Sequence, residues 1–156
     1  MNSEPVFHFF VPGNAQPGGS KSAFYNKRLG RAMVVDACKK NPAWKKTVAH
    51  YGQRANPSGK LLTGALKVQM VFHIQRPKSH FRTGAYASQL RPDAPIWHLV
   101  KPDTTKFVRA AEDALTGVLW VDDARIPKQV NDKEWCEPGR IAGVWITVWV
   151  LDGKED

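Results

Sequence analysis

KPDTTKFVRAAEDALTGVLWVDDARI, residues 101 to 126, is the stretch on which the fold turns. From Thr104 to about Thr116 its pattern predicts a helix. Phe107, Val108, Ala111, Ala114 and Leu115 recur at helical spacing and make one apolar face. Asp103 follows Pro102 and stands where an N-cap belongs. Gly117 is placed to end the helix. Lys106, Arg109 and Asp113 share the polar face, with Arg109 and Asp113 spaced to pair. Residues 118–121, VLWV, predict a short strand that delivers Asp122 and Asp123 at its end. A helix of roughly 13 residues spans about 20 Å. The returning strand would carry Asp122 or Asp123 back toward the start of that helix.

Upstream, Val6–Val11 predicts a first strand, apolar enough for burial on both faces. Residues 12–24 (PGNAQPGGSKSAF) read as a loop rich in Gly, Pro and Ser, exposing backbone amides beside Lys21. Asn41, a potential cap, and Pro42 then open a helix whose buried stripe is Trp44, Val48 and Tyr51. Leu66, Val68, Met70, Phe72 and Ile74 alternate with Lys67, Gln69, Val71 and His73, which predicts a half-buried strand. Residues 76–98 have no periodicity and read as a long loop. There Arg76, Lys78, Arg82 and Arg91 interleave with Phe81 and Tyr86, a mixture suited to phosphates and exposed bases, or else a plain connector. Downstream, RIPKQVNDKEW and IAGVWITVWVL predict two strands forming a hairpin across CEPGR. In the second, Val144, Ile146, Val148 and Val150 face one way, Trp145, Thr147 and Trp149 the other. The order of elements implies one mixed α/β or α+β domain over residues 1–156.

Composition narrows the chemistry. The 156 residues are 42% hydrophobic and 24% charged, as in an ordinary globular protein. The longest apolar-rich stretch, Ile141–Leu151, is too short to cross a bilayer as a helix. No basic region precedes the apolar run near Met1, so no secretory signal is expected and the cytoplasm is the expected location. Cys38 and Cys136 form no CxxC pair and imply neither zinc nor a disulfide. The formal net charge is +9. Met1–Lys101 carries 16 Lys and Arg against three acids, while Pro102–Asp156 carries seven against 11. A basic surface of this kind meets a polyanion, most commonly nucleic acid.

Against that background, residues 101–126 hold five of the chain's 14 acids. Taken singly, Asp103 is a helix cap, Asp113 a salt-bridge partner and Asp122–Asp123 a turn. Taken together, in a chain otherwise short of acids, they read equally as a metal site. Carboxylates without His or Cys favour Mg²⁺, with Mn²⁺ the alternative. A divalent ion beside a basic surface points to phosphodiester hydrolysis, since it generates hydroxide and neutralises charge on the phosphate.

The segment also resembles the RusA family of Holliday junction resolvases, endonucleases common in phages and prophages. The resemblance lies in Lys101-Pro102-Asp103, in Asp113-Ala114-Leu115 and in Asp122-Asp123-Ala124-Arg125-Ile126, in matching register. It implies a small α/β domain, a mixed sheet packed against two main helices, working as a homodimer on four-way DNA junctions in recombination and repair. It implies Mg²⁺ and paired nicking, with no nucleotide cofactor and no membrane. On that basis Asp103, Asp123 and Arg109 are expected to be catalytic, with Asp103, Asp122 and Asp123 on the metal. Lys21, Arg76, Lys78, Arg82, Lys101 and Lys106 are expected to bind DNA. The chain departs from the family pattern at Thr105 and Lys106, where many members carry Asp and Asn. Asp122 is the expected replacement for the missing carboxylate. Asp113 lies roughly 15 Å along the helix from Asp103 and is expected to support Arg109. The same departure leaves room for an inactive branched-DNA-binding protein on this fold.

Overall fold

Alternation in Leu66–Ile74 survives folding intact. In the computed structural model this strand is buried at every second residue from Leu66 to Phe72. The structure describes residues 4–19 and 21–153. Six strands and two helices follow one another: β1 (Phe7–Pro12), β2 (Lys21–Asn26), β3 (Arg31–Asp36), α1 (Asn41–Ala55), β4 (Leu66–Ile74), α2 (Thr104–Leu115), β5 (Lys128–Trp135) and β6 (Gly143–Val150). Four strands form a mixed sheet in the order β1-β6-β4-β5, and β2 and β3 form a separate ribbon. β4 pairs antiparallel with β6 and parallel with β5, so Met70 lies between Ile146 and Asn131. The parallel pair requires a long crossover, which the 76–100 loop and α2 supply.

The helices cover one face of the sheet. Val68, Met70, Phe72, Val144, Ile146 and Val148 pack there against Trp44 and Val48 of α1 and against Phe107, Ala111 and Leu115 of α2. Phe72 and Phe107 stack with ring centroids 5.4 Å apart. Each such side chain stabilises the fold by about 1.5–3 kcal/mol when removed from water. The mixed sheet on two helices is therefore as expected, and so are the two faces of β6.

Five expectations change in detail. First, β1 is not buried on both faces. It is an edge strand, and only Val11 is fully covered. Its outer aromatics meet Trp145 instead, His8 at 4.9 Å and Phe10 at 5.1 Å between centroids. Second, β5 and β6 are no hairpin, because β4 lies between them. A strand buried at alternate positions is best served by partners on both edges. Third, the loop expected over residues 12–24 ends at Lys21, where the ribbon starts. Fourth, Lys40 rather than Asn41 occupies the cap of α1, and Asn41 is already helical and buried. Fifth, residues 118–121 form no strand. Trp120 turns inward and is fully buried, while Leu119 and Val121 bond Leu62 through their backbones. Gly117 ends α2 at φ 79°, as its position implied.

A candidate active-site groove along the second helix

Burying Phe107, Val108, Ala110, Ala111, Ala114 and Leu115 fixes how α2 is rotated. Its other side then has to face outward. Thr105, Arg109 and Glu112, one turn or two apart, line a groove of about 220 Å³ with Thr104, Val108 and, from β5, Gln129 and Asn131.

At the head of the groove stands Asp103. It occupies the N-cap position of α2, yet its side chain makes no capping hydrogen bond. The exposed carboxylate therefore has no structural task at the helix end. Its backbone is held from below: Lys133 Nζ donates to the carbonyls of Val100 at 2.8 Å and Pro102 at 3.0 Å. The peptide bond between Lys101 and Pro102 is cis. The loop leading here is pinned to the end of β5, and to Arg76 just past β4, as well. Trp135 Nε1 donates to the carbonyl of Trp97 at 3.0 Å, and Arg76 Nη1 to that of Pro95 at 2.7 Å.

At the foot stands Asp123. Its Oδ1 accepts hydrogen bonds from Trp120 Nε1 at 2.9 Å and from Thr116 Oγ1. Asp122, its neighbour, caps a single 3-10 turn over Asp123–Arg125 by accepting from Ala124 N at 2.8 Å. Because residues 118–121 turn rather than run back along α2, Asp123 stays by the helix's last turn. Among the described residues, no three acidic, His or Cys side chains gather closely enough to hold a metal ion. Asp103 and the Asp122–Asp123 pair therefore stand at opposite ends of α2, beyond the residues that line the groove.

No motif in the sequence marks Glu112. It lies on the same face as Thr105, two turns further on, and that spacing was the available signal. Its carboxylate accepts from Gln129 Nε2. Partial burial pushes its pKa up, the Gln129 hydrogen bond opposes this, and the charges of Asp123 and Asp113 push it up further. Beside it Asn131 Oδ1 is buried without a hydrogen-bond partner. Glu112 and Asp123 thus bring two carboxylates to one end of the groove. The donors there are all oxygen, which suits a hard divalent cation in kind. Asp113 is exposed and makes no ion pair with Arg109, the pairing expected of it, among the described residues.

Comparison with known families places the chain. The model of the endodeoxyribonuclease RusA family matches residues 14–147. The chain belongs to the RusA family. No curated protein matches it. The RusA-family match spans all of α2, both ends of the groove and the loop before the ribbon, and it makes the chain a member of a nuclease family.

The basic residues expected to bind DNA in this RusA-family chain have unequal settings. Lys106 and Arg109 are exposed on α2, and Lys101 is exposed just before it. Lys78 is exposed in a 3-10 turn, and Arg82 lies 4.4 Å over the ring of Tyr86. Arg76 is committed to the loop through Pro95 and to His80 Nδ1 at 3.3 Å, and it lies 5.8 Å over the ring of Trp135. Lys21 begins the ribbon. No helix among the described residues is long and apolar enough to cross a membrane.

Proposed function

We propose that this RusA-family protein is a Mg²⁺-dependent endonuclease that resolves four-way DNA junctions by paired strand cuts during recombination and repair in the cytoplasm. The observation that carries the reading is the groove itself, with a carboxylate unused by the fold at its head, carboxylates fixed at its foot and Arg109 between them. Asp103 at the head and Asp122 and Asp123 at the foot are the proposed metal-site acids; about 18 Å of helix separates the two ends, so they would not share one ion, and Glu112 joins Asp123 at the foot. A bound Mg²⁺, or Mn²⁺, would supply an activated water and neutralise charge developing on the phosphate.

The chain's own residues do the rest. Trp120 and Thr116 hold Asp123 in one orientation, so that no side-chain freedom is lost when substrate arrives. Arg109 presents a forked guanidinium suited to phosphate oxygens. Lys101 and Lys106 place positive charge at the head of the groove, where a DNA backbone would enter. Two cuts in opposed strands require two sites, which a homodimer supplies. The sheet face away from the helices is the proposed contact, since Trp145 is 41% exposed there beside Phe10 and Ile141.

One observation favours a second reading, a branched-DNA-binding protein without cleavage. The acids at the two ends do not converge in a single cluster. Synthetic four-way junctions separate the two readings. The nuclease reading predicts nicking that requires Mg²⁺ and is lost in Asp103→Asn with junction binding retained. No metal-dependent nicking of any branched substrate would leave the binding reading standing.

A further inference from the structure

The β2–β3 ribbon is exposed over most of its length and contributes no residue to the core cluster. Its strands pair only with each other. Asn26 Oδ1 accepts from the amides of Arg28 and Leu29 at 3.0 and 3.1 Å and shapes the turn between the strands. Tyr25 is 65% exposed and Val34 66%, and the register puts both on one face, with Phe24 on the other. Two-stranded ribbons are marginal in water alone, and apolar side chains on both faces call for a partner.

Charge identifies that partner. Between residues 21 and 40 stand Lys21, Lys27, Arg28, Arg31, Lys39 and Lys40 against one acid, Asp36. Three of the six cluster at the tip, around the turn. Strands of six residues reach about 20 Å, and a two-stranded ribbon fits the major groove of duplex DNA.

Placement supplies an independent reason. The ribbon springs from the candidate active site. Gly18 N donates to the carbonyl of Lys106 at 2.9 Å. A side chain at Gly18 would put its Cβ 3.0 Å from the backbone of Ala110, and one at Gly19 would lie 2.7 Å from Arg109 Cδ. The two glycines let the chain cross α2 at the turn that carries Arg109, and the ribbon begins directly afterwards.

We propose that the β2–β3 ribbon is a DNA-gripping arm that reads the branch point beside the cut. Lys27, Arg28 and Arg31 contact phosphates, and Tyr25 lies against a base left unstacked where the helical arms part. This rests on the junction-endonuclease reading and adds to it the source of branch recognition.

The test uses the full-length chain in EDTA, with binding to a labelled four-way junction and to a linear duplex of equal length measured from low to moderate salt. Lys27→Gln/Arg28→Gln/Arg31→Gln should weaken junction binding by at least about tenfold and lower the log–log salt slope by about 2.5. Tyr25→Ser should leave that slope unchanged and reduce the preference for junction over duplex by about fivefold or more. Because these side chains are exposed, both variants should melt at the wild-type temperature. Unchanged affinity and slope in the triple variant would overturn the arm while leaving the endonuclease reading intact. So would a fall from dimer to monomer in Tyr25→Ser by sedimentation, which would assign the ribbon to a second copy of the chain. Absence of junction binding by the wild type would remove both proposals.

Discussion

The two ends of α2 hold their acids in opposite ways. Asp123, at the foot, is half-buried and fixed through its own carboxylate by a buried indole and a hydroxyl. Asp103, at the head, has an exposed side chain with no capping bond, and only its backbone is fixed, through Lys133. One carboxylate is held by the fold through its own oxygen; the other is held only through the backbone around it. The contrast teaches that a shared helix can set two acids at a defined separation without a contact between them.

The largest disturbance would remove the helix both ends depend on. Phe107→Ala deletes a ring that is 1% exposed and stacked on Phe72. It should cost about 3–5 kcal/mol in denaturant unfolding and abolish the contrast by loosening both ends. Trp120→Phe acts on the foot alone. It keeps most of the packing but removes the Nε1–H donor to Asp123, so the unfolding free energy should fall by about 1 kcal/mol. Cleavage should fall by roughly tenfold or more as Asp123 loses its orientation. Lys133→Met acts on the head alone. It leaves the Val100 and Pro102 carbonyls to water, and cleavage should fall by about three- to tenfold with a smaller change in stability. If Trp120→Phe and Lys133→Met proved equally mild, the difference between the two ends would be an accident of packing.

The smallest effect is electrostatic. Burial raises the pKa of Glu112 in the folded chain above its ordinary value of 4.5. The folded state therefore binds the proton first as pH falls, and stability is gained between the folded-state pKa and about pH 4.5. Above that window the charged form is a burden. Glu112→Gln should therefore be the more stable protein at neutral pH in EDTA, and its advantage should disappear below about pH 4.5. Thermal unfolding across that range checks the sign.

Most of the scaffold was legible because its signals are periodic. Leu66–Ile74 alternates, the apolar face of α2 recurs at helical spacing, and Gly117 ends the helix where the pattern stops. What the sequence hid was tertiary. VLWV looks like a strand, but Trp120 gained more by turning into the core than by pairing along α2, and that single turn keeps Asp123 away from Asp103. Strand order was hidden because nothing within β5 or β6 names the neighbour that will lie between them. The ribbon was obscured by Gly, Pro and Ser before it and by apolar residues that no core covers. Glu112 stood in plain sight two turns beyond Thr105, but it matched no motif, and only the groove shows what it faces.

The most direct test of the central claim, that cleavage needs the acids at both ends of α2, is a junction-cleavage cycle on wild type, Asp103→Asn, Asp123→Asn and the double variant in Mg²⁺, with junction binding measured on the same preparations. The prediction is a loss of at least about 10³-fold in each single variant, no further loss in the double, and binding within about twofold of wild type. Either single variant cutting at near the wild-type rate would contradict it.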